Sequence, residues 1–166
     1  MTYKRFEELP VWKSAIQLAE RVDDFTRSME KGTLTFSQRD QIERASLSVS
    51  NNIAEGFERG TTKELLYFLY IARGSAGEVR SMLYYFESRP YLANFKSQIQ
   101  NLKSLAESCS KQLRAWAEHL QNTKIKGQRH LDDATRKESA REKELAEFEQ
   151  WMDEGSARLG LPPMKK

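Results

Sequence analysis

Two histidines and one cysteine are the only imidazole and thiol groups in this 166-residue chain, and their spacing narrows the metal chemistry open to it. A di-iron site between helices needs Glu-x-x-His on two of them. The residues three before His119 and His130 are Trp116 and Gly127, so that motif is absent. One Cys and two His are too few for a structural zinc. Gly74-Ser75-Ala76-Gly77 has the small residues of a phosphate loop, but it lacks the following Gly-Lys-Ser/Thr and a preceding strand. Ser75 has no histidine that the sequence can place beside it, so nucleophilic catalysis is unsupported. His119 reads as a residue near a helix C-terminus, where the dipole favours it. Cys109 falls on an apolar stripe and reads as a small core residue. No cofactor, metal or catalytic residue is expected, and the chain is not expected to be an enzyme.

The densest polar chemistry lies in SVSNNIAEGFERGTTKEL, Ser48 to Leu65. Its residues fit a tight reversal between two helices better than a ligand site. Gly60 stands at the expected reversal, where a positive φ would call for glycine. Thr61 and Glu64 have capping-box spacing. Glu55 and Arg59 can pair across one turn. Gly56, Ala54, Ser50 and Ser48 face a second small set, Ala72 to Gly77, so the two backbones can approach closely. At that distance Asn52 or Ser75 can bond across the pair, as a buried polar group requires. Asn52, Glu55, Gly56, Gly60, Thr61 and Ser75 are therefore expected to shape a hairpin.

Apolar residues recur at helical spacing in the segments that carry this hairpin. The first helix is expected from Pro10, a good first-turn residue, to Gly32, with the stripe Trp12, Ile16, Ala19, Val22, Phe25 and Met29. The second is expected to open on Ser37 as N-cap and to bury Ile42, Ala45, Val49, Ile53 and Phe57. The third starts at Thr61, runs through Leu65, Phe68, Leu69, Ala72, Ala76, Val79, Leu83 and Phe86, and stops at Pro90. The fourth uses Phe95, Ile99, Leu102, Ala106, Cys109, Leu113, Trp116 and Leu120 and ends before Lys124. Connections are short, so successive helices should be antiparallel neighbours. The expected architecture is all-α: an up-down-up-down antiparallel four-helix bundle over residues 1–123. Residues 124–166 form a linker and a charged C-terminal helical tail.

Charge is nearly balanced in both parts. Residues 1–123 hold 17 Lys and Arg against 15 Asp and Glu, and residues 124–166 hold 10 against 9. Any basic surface must come from folding. The longest apolar run, Leu65 to Ala72, is too short to span a bilayer. The acidic start has no following apolar run and is not a secretory signal. A lone cysteine fits the reducing cytoplasm. In the tail, Phe148, Trp151 and Met152 give one apolar face suited to docking a partner.

The third helix is apolar around much of its girth. Leu66, Tyr67, Tyr70 and Tyr84 accompany its main stripe, as expected of a helix covered by a second subunit; scattered surface tyrosines are the plainer alternative. Arg73 and Arg80 share one face, and Arg39, Arg44, Arg59 and Lys63 lie on or near the second helix and its turn. Such side chains suit phosphate, although each has an acid nearby and, for any one of them, a solvated, salt-bridged surface is the default reading.

The segments 45–59 (ASLSVSNNIAEGFER) and 68–79 (FLYIARGSAGEV), with 7–19 (EELPVWKSAIQLA) and 41–45 (QIERA), resemble the 23S ribosomal RNA intervening-sequence proteins. The resemblance spans about residues 6–122 and implies a four-helix bundle assembling as a homopentamer. It carries no catalytic residues. A related branch, the accessory proteins of diversity-generating retroelements, implies nucleic acid and a reverse transcriptase as partners. The expected function is a non-enzymatic oligomeric scaffold for nucleic acid, RNA favoured. The alternative is a protein-only adaptor that docks through its tail.

Overall fold

Proline at the first turn, two threonine caps and a second proline set the bounds of the helices. The computed structural model describes residues 3–122 and, beyond them, Arg141, Glu144, Leu145, Glu147, Phe148, Gln150, Trp151 and Glu154. The chain divides into two units, Met1–Arg129 and His130–Lys166.

In the first unit, residues 3–122 form α1 (Pro10–Arg27), α2 (Phe36–Glu58), α3 (Thr62–Glu87) and α4 (Lys96–Asn122). A 3-10 turn, Phe6–Glu8, precedes α1, and another, Pro90–Phe95, leads into α4. Each helix packs against its neighbours in sequence, and α1 also packs on α4, which closes an antiparallel four-helix bundle.

The cap of α2 is Thr35, two residues before the expected Ser37. Thr35 Oγ1 accepts from the Gln38 amide at 3.2 Å, and Gln38 Oε1 accepts from the Thr35 amide at 2.9 Å. This reciprocal pair satisfies two amides and outcompetes a lone serine. Helix α1 ends at Arg27, short of Gly32, which sits in the following loop at φ +93°. Only glycine takes that conformation without strain. Met29 and Leu34 bury themselves on either side of it.

The core runs through all four helices. In α2, α3 and α4 the expected stripes are buried except Phe68, Phe95, Trp116 and Leu120, which are half-buried. In α1 the expected Ala19, Val22 and Phe25 are buried, as is Met29 beyond its end; Val11, Ala15 and Leu18 join them, while Trp12 and Ile16 are half-buried. Trp12 packs instead on Phe6 of the N-terminal turn, edge to face at 5.2 Å. Phe25 meets Phe86 at 6.4 Å and Phe95 at 6.0 Å, which ties α1 to the α3–α4 connection. Each such large side chain contributes about 1.5–3 kcal/mol by leaving water. Thr26, fully buried, donates its hydroxyl to Glu43 Oε1 at 2.5 Å and so registers α1 against α2.

In the second unit the described residues are helical. Leu145, Phe148 and Trp151 are exposed, and the rings of Phe148 and Trp151 lie 6.0 Å apart. Met152 lies outside the described residues.

Candidate nucleic-acid and assembly surfaces

At the α2–α3 reversal Thr61 caps α3. Its Oγ1 accepts from the Glu64 amide at 3.2 Å and donates to Glu64 Oε2 at 2.7 Å. Glu55 and Arg59 pair at 2.6 Å, and the Arg59 guanidinium lies 5.2 Å from the Phe68 ring centre. The pairing raises the Arg59 pKa, chiefly through that hydrogen bond. The Gly60 φ is not positive, and a Cβ there would meet nothing within 4 Å. The glycine the hairpin needs is Gly56. A Cβ on it would stand 2.7 Å from Phe68 Cβ and 3.4 Å from the Leu65 carbonyl oxygen.

One turn further from the reversal, a chain of hydrogen bonds crosses the helix pair. Asn52 Nδ2 donates to the Ser48 carbonyl at 2.7 Å and to Ser48 Oγ at 2.9 Å. Ser48 Oγ lies 2.9 Å from Ser75 Oγ, and Ser75 donates to the Ile71 carbonyl at 3.1 Å. Because Ser75 spends its proton on Ile71, Ser48 donates across the gap. The crossing bond is therefore Ser48–Ser75, and Asn52 braces it from within α2.

The outer side of α3 has a regular pattern. Tyr67, Tyr70, Gly74, Gly77, Ser81 and Tyr84 follow spacings of three and four, and all six are exposed. Such spacing keeps them on one face, as in a helix–helix seam. A Cβ on Gly74 or Gly77 would meet nothing within 4 Å. Tyr70 accepts from Gln121 Nε2 at 2.6 Å, and the Lys103 ammonium sits 3.8 Å from the Tyr84 ring centre, so α4 fixes two of the rings. Leu66 lies to the side, half-buried against the core.

The six candidate cations do not form one patch within a single chain. Arg39 and Arg59 are about 30 Å apart along α2, at 1.5 Å per residue. Arg44 pairs with Asp40 at 3.6 Å and Arg59 with Glu55. Lys63 is exposed and Arg39 half-buried. Arg73 and Arg80 are half-buried. Arg80 reaches the field of Glu107 on α4, whose pKa is lowered mainly by its hydrogen bond from Lys111 and to a lesser extent by Arg80. Arg73 has no acid partner among the described residues.

Between α1 and α4 a groove of ≈ 470 Å³ opens over Phe25, Leu102 and Leu105, rimmed by Arg21, Asp24 and Asn101. Cys109 is buried, and burial pushes its thiol up to about 11, which leaves it protonated and unreactive at neutral pH. No group of three or more metal-ligating side chains occurs among the described residues, and no described helix is long and apolar enough to cross a membrane.

The sequence reading missed the exposed Phe36 and the Tyr85–Arg89 stack. In the second, Arg89 stands in extended backbone just beyond the α3 C-cap, where helical spacing does not place it.

The model of the family described as 23S rRNA-intervening sequence protein matches residues 7–115, a span that begins in the N-terminal turn and extends into α4. A similar crystal structure is that of a protein of unknown function of the S23 ribosomal protein family from Bacteroides thetaiotaomicron. It is 19% identical, with a TM-score of 0.60 over 65% of this chain and 98% of that one, and so shares the fold. No curated protein matches the chain.

Proposed function

The chain belongs to the 23S rRNA-intervening sequence protein family, and from that membership and the uncovered face of α3 we propose a non-enzymatic homo-oligomeric scaffold that binds nucleic acid, RNA before DNA. The observation that carries the reading is the exposed row Tyr67, Tyr70, Gly74, Gly77, Ser81 and Tyr84. An aromatic and small-residue seam on a fully folded helix is suited to a second helix, because the glycines admit a close backbone and the tyrosines supply contact area. A second copy of the chain is the proposed occupant, and a ring of five is the proposed assembly.

Symmetry then supplies what one chain lacks. Arg73 and Arg80 flank the row, and a ring repeats them about one axis and concentrates their field. Backbone phosphates are the matching ligand, with little preference for sequence. A reverse transcriptase bound to RNA is a candidate partner, and the cytoplasm is the proposed compartment.

Sedimentation equilibrium and RNA titration test this together. The expected mass is several times 19.3 kDa. The expected affinity for single-stranded RNA falls steeply with salt as counterions are released, and Arg73→Gln with Arg80→Gln flattens that slope. A monomer at micromolar concentration removes the scaffold reading, and an unchanged slope removes the two arginines.

A second reading is favoured by the exposed pair Phe148 and Trp151. A charged helix with one aromatic face suits the groove of a protein partner. In that case the chain is an adaptor, Trp151→Ala abolishes partner capture, and RNA does not bind.

A further inference from the structure

The end of the bundle where α3 stops and α4 begins carries a second, unassigned constellation. Beneath the 3-10 turn Pro90–Phe95 lies a cavity of ≈ 410 Å³ lined by Ser88, Arg89, Lys96 and Gln100, with Glu87 as its single acid. Glu87 is committed elsewhere, holding Lys103 Nζ at 2.8 Å with both side chains mostly buried. Arg89 and Lys96 therefore face the cavity without an acid partner among the described residues.

Arg89 is also held in place. Its guanidinium stacks 4.6 Å from the Tyr85 ring centre and donates through Nε and Nη2 to Ser88 Oγ at 3.2 and 3.1 Å. Ser88 in turn donates to the Tyr85 carbonyl at 2.7 Å, and the Tyr85 hydroxyl lies 3.4 Å from Gln38 Nε2 of α2. A cation fixed this way loses little freedom when it binds an anion. In the 3-10 turn that helps line the cavity, Tyr91 is 54% exposed.

We propose that this cavity holds a backbone phosphate of single-stranded RNA through Arg89 and Lys96, with a neighbouring base stacked on Tyr91. The site rests on the RNA-binding reading above and names where on each chain a strand is gripped. Two unpaired cations suit one phosphate, and an exposed tyrosine on the adjoining 3-10 turn suits the face of any base. The combination grips single strands without reading their sequence. A duplex, whose bases are stacked on one another, offers the ring nothing.

The test uses the full chain and a single-stranded RNA of about 12 nucleotides carrying 2-aminopurine, whose fluorescence is quenched by stacking. Arg89→Gln with Lys96→Gln should weaken binding about tenfold at ~50 mM salt and reduce the salt slope by roughly 1, since about 0.7 counterions are released per phosphate neutralised. Tyr91→Ser should abolish the change in 2-aminopurine fluorescence on binding while leaving the salt slope as it was. Lys96→Glu, at an exposed position, should weaken binding further without moving the melting temperature. Wild-type affinity in all these variants, with loss in Arg73→Gln and Arg80→Gln, overturns the cavity and leaves the scaffold reading standing. A fluorescence change that survives Tyr91→Ser overturns the stacking. No binding by the wild-type chain at ~50 mM salt overturns both readings.

Discussion

The seam between α2 and α3 and the seam between α1 and α4 join the same kind of element in different ways. At the first, a Cβ on Gly56 would stand 2.7 Å from Phe68 Cβ, and a hydrogen-bonded Ser48–Ser75 pair bridges the helices. At the second, a groove of ≈ 470 Å³ opens over Phe25, Leu102 and Leu105, with Gln112 reaching Ser14 at 3.2 Å. Small residues bring backbones together and let short hydroxyls meet, so register is fixed by directional bonds. Larger residues hold helices apart, and register rests on side-chain packing together with the Gln112–Ser14 bond. The α2–α3 hairpin is thus the closest-packed seam, and the Thr26–Glu43 and Gln112–Ser14 bonds register α1 against its two neighbours.

The largest expected effect comes from altering the keyed seam. Gly56→Val places branched carbons where Phe68 and the Leu65 backbone already stand, and should cost about 3 kcal/mol. Leu105→Phe also enlarges a side chain, but at the open seam, where the groove has room for the ring. It should stay within about 1 kcal/mol of wild type. Urea midpoints compare the two. Similar losses at both sites would end the distinction between the seams.

The bracing amide comes next. Asn52→Leu removes both bonds to Ser48 and leaves that hydroxyl free to turn away from Ser75. The expected cost is about 1–2 kcal/mol, read as an earlier melt with the helical circular dichroism intact. An unchanged melt would mean that Ser48 and Ser75 hold register without help.

How much of this was legible in sequence depended on whether a signal was local. The stripes of α2, α3 and α4, the Thr61 cap and the Pro10 start are each carried by residues within a turn or two, and each stands where the pattern put it. Only the first half of the α1 stripe differs: Trp12 and Ile16 are half-buried, and Trp12 packs on Phe6, a contact that periodicity cannot represent. Ser37 lost the α2 cap to Thr35 because reciprocal bonding by Gln38 outweighs a lone hydroxyl. The choice between Gly56 and Gly60 as the needed glycine was beyond sequence, since composition marks both and only the approach of Phe68 separates them. The Arg89–Ser88–Tyr85 cluster was passed over for the opposite reason: its parts are adjacent, but the cavity beneath them is made by α4.

The smallest expected effect sharpens the contrast most, because it concerns glycines with open space above them. Gly74 and Gly77 lie mid-helix and exposed, and a Cβ added to either would meet nothing within 4 Å. For a lone chain each is a pure loss, since Ala in their place should stabilise α3 by about 0.5–1 kcal/mol. Retaining two such residues on the one face that also carries Tyr67, Tyr70 and Tyr84 has a physical reason only if another backbone passes close by. Gly74→Ala and Gly77→Ala should therefore raise the thermal stability of the dissociated chain while lowering the sedimenting mass at a fixed concentration. The two readouts must move in opposite directions. If stability rises and assembly is untouched, the face of α3 is not the seam between copies, and the tyrosines are ordinary surface residues. If stability falls in the dissociated chain, the outer face of α3 is covered within the chain after all, and the close approach at Gly56 is not special to the inner face.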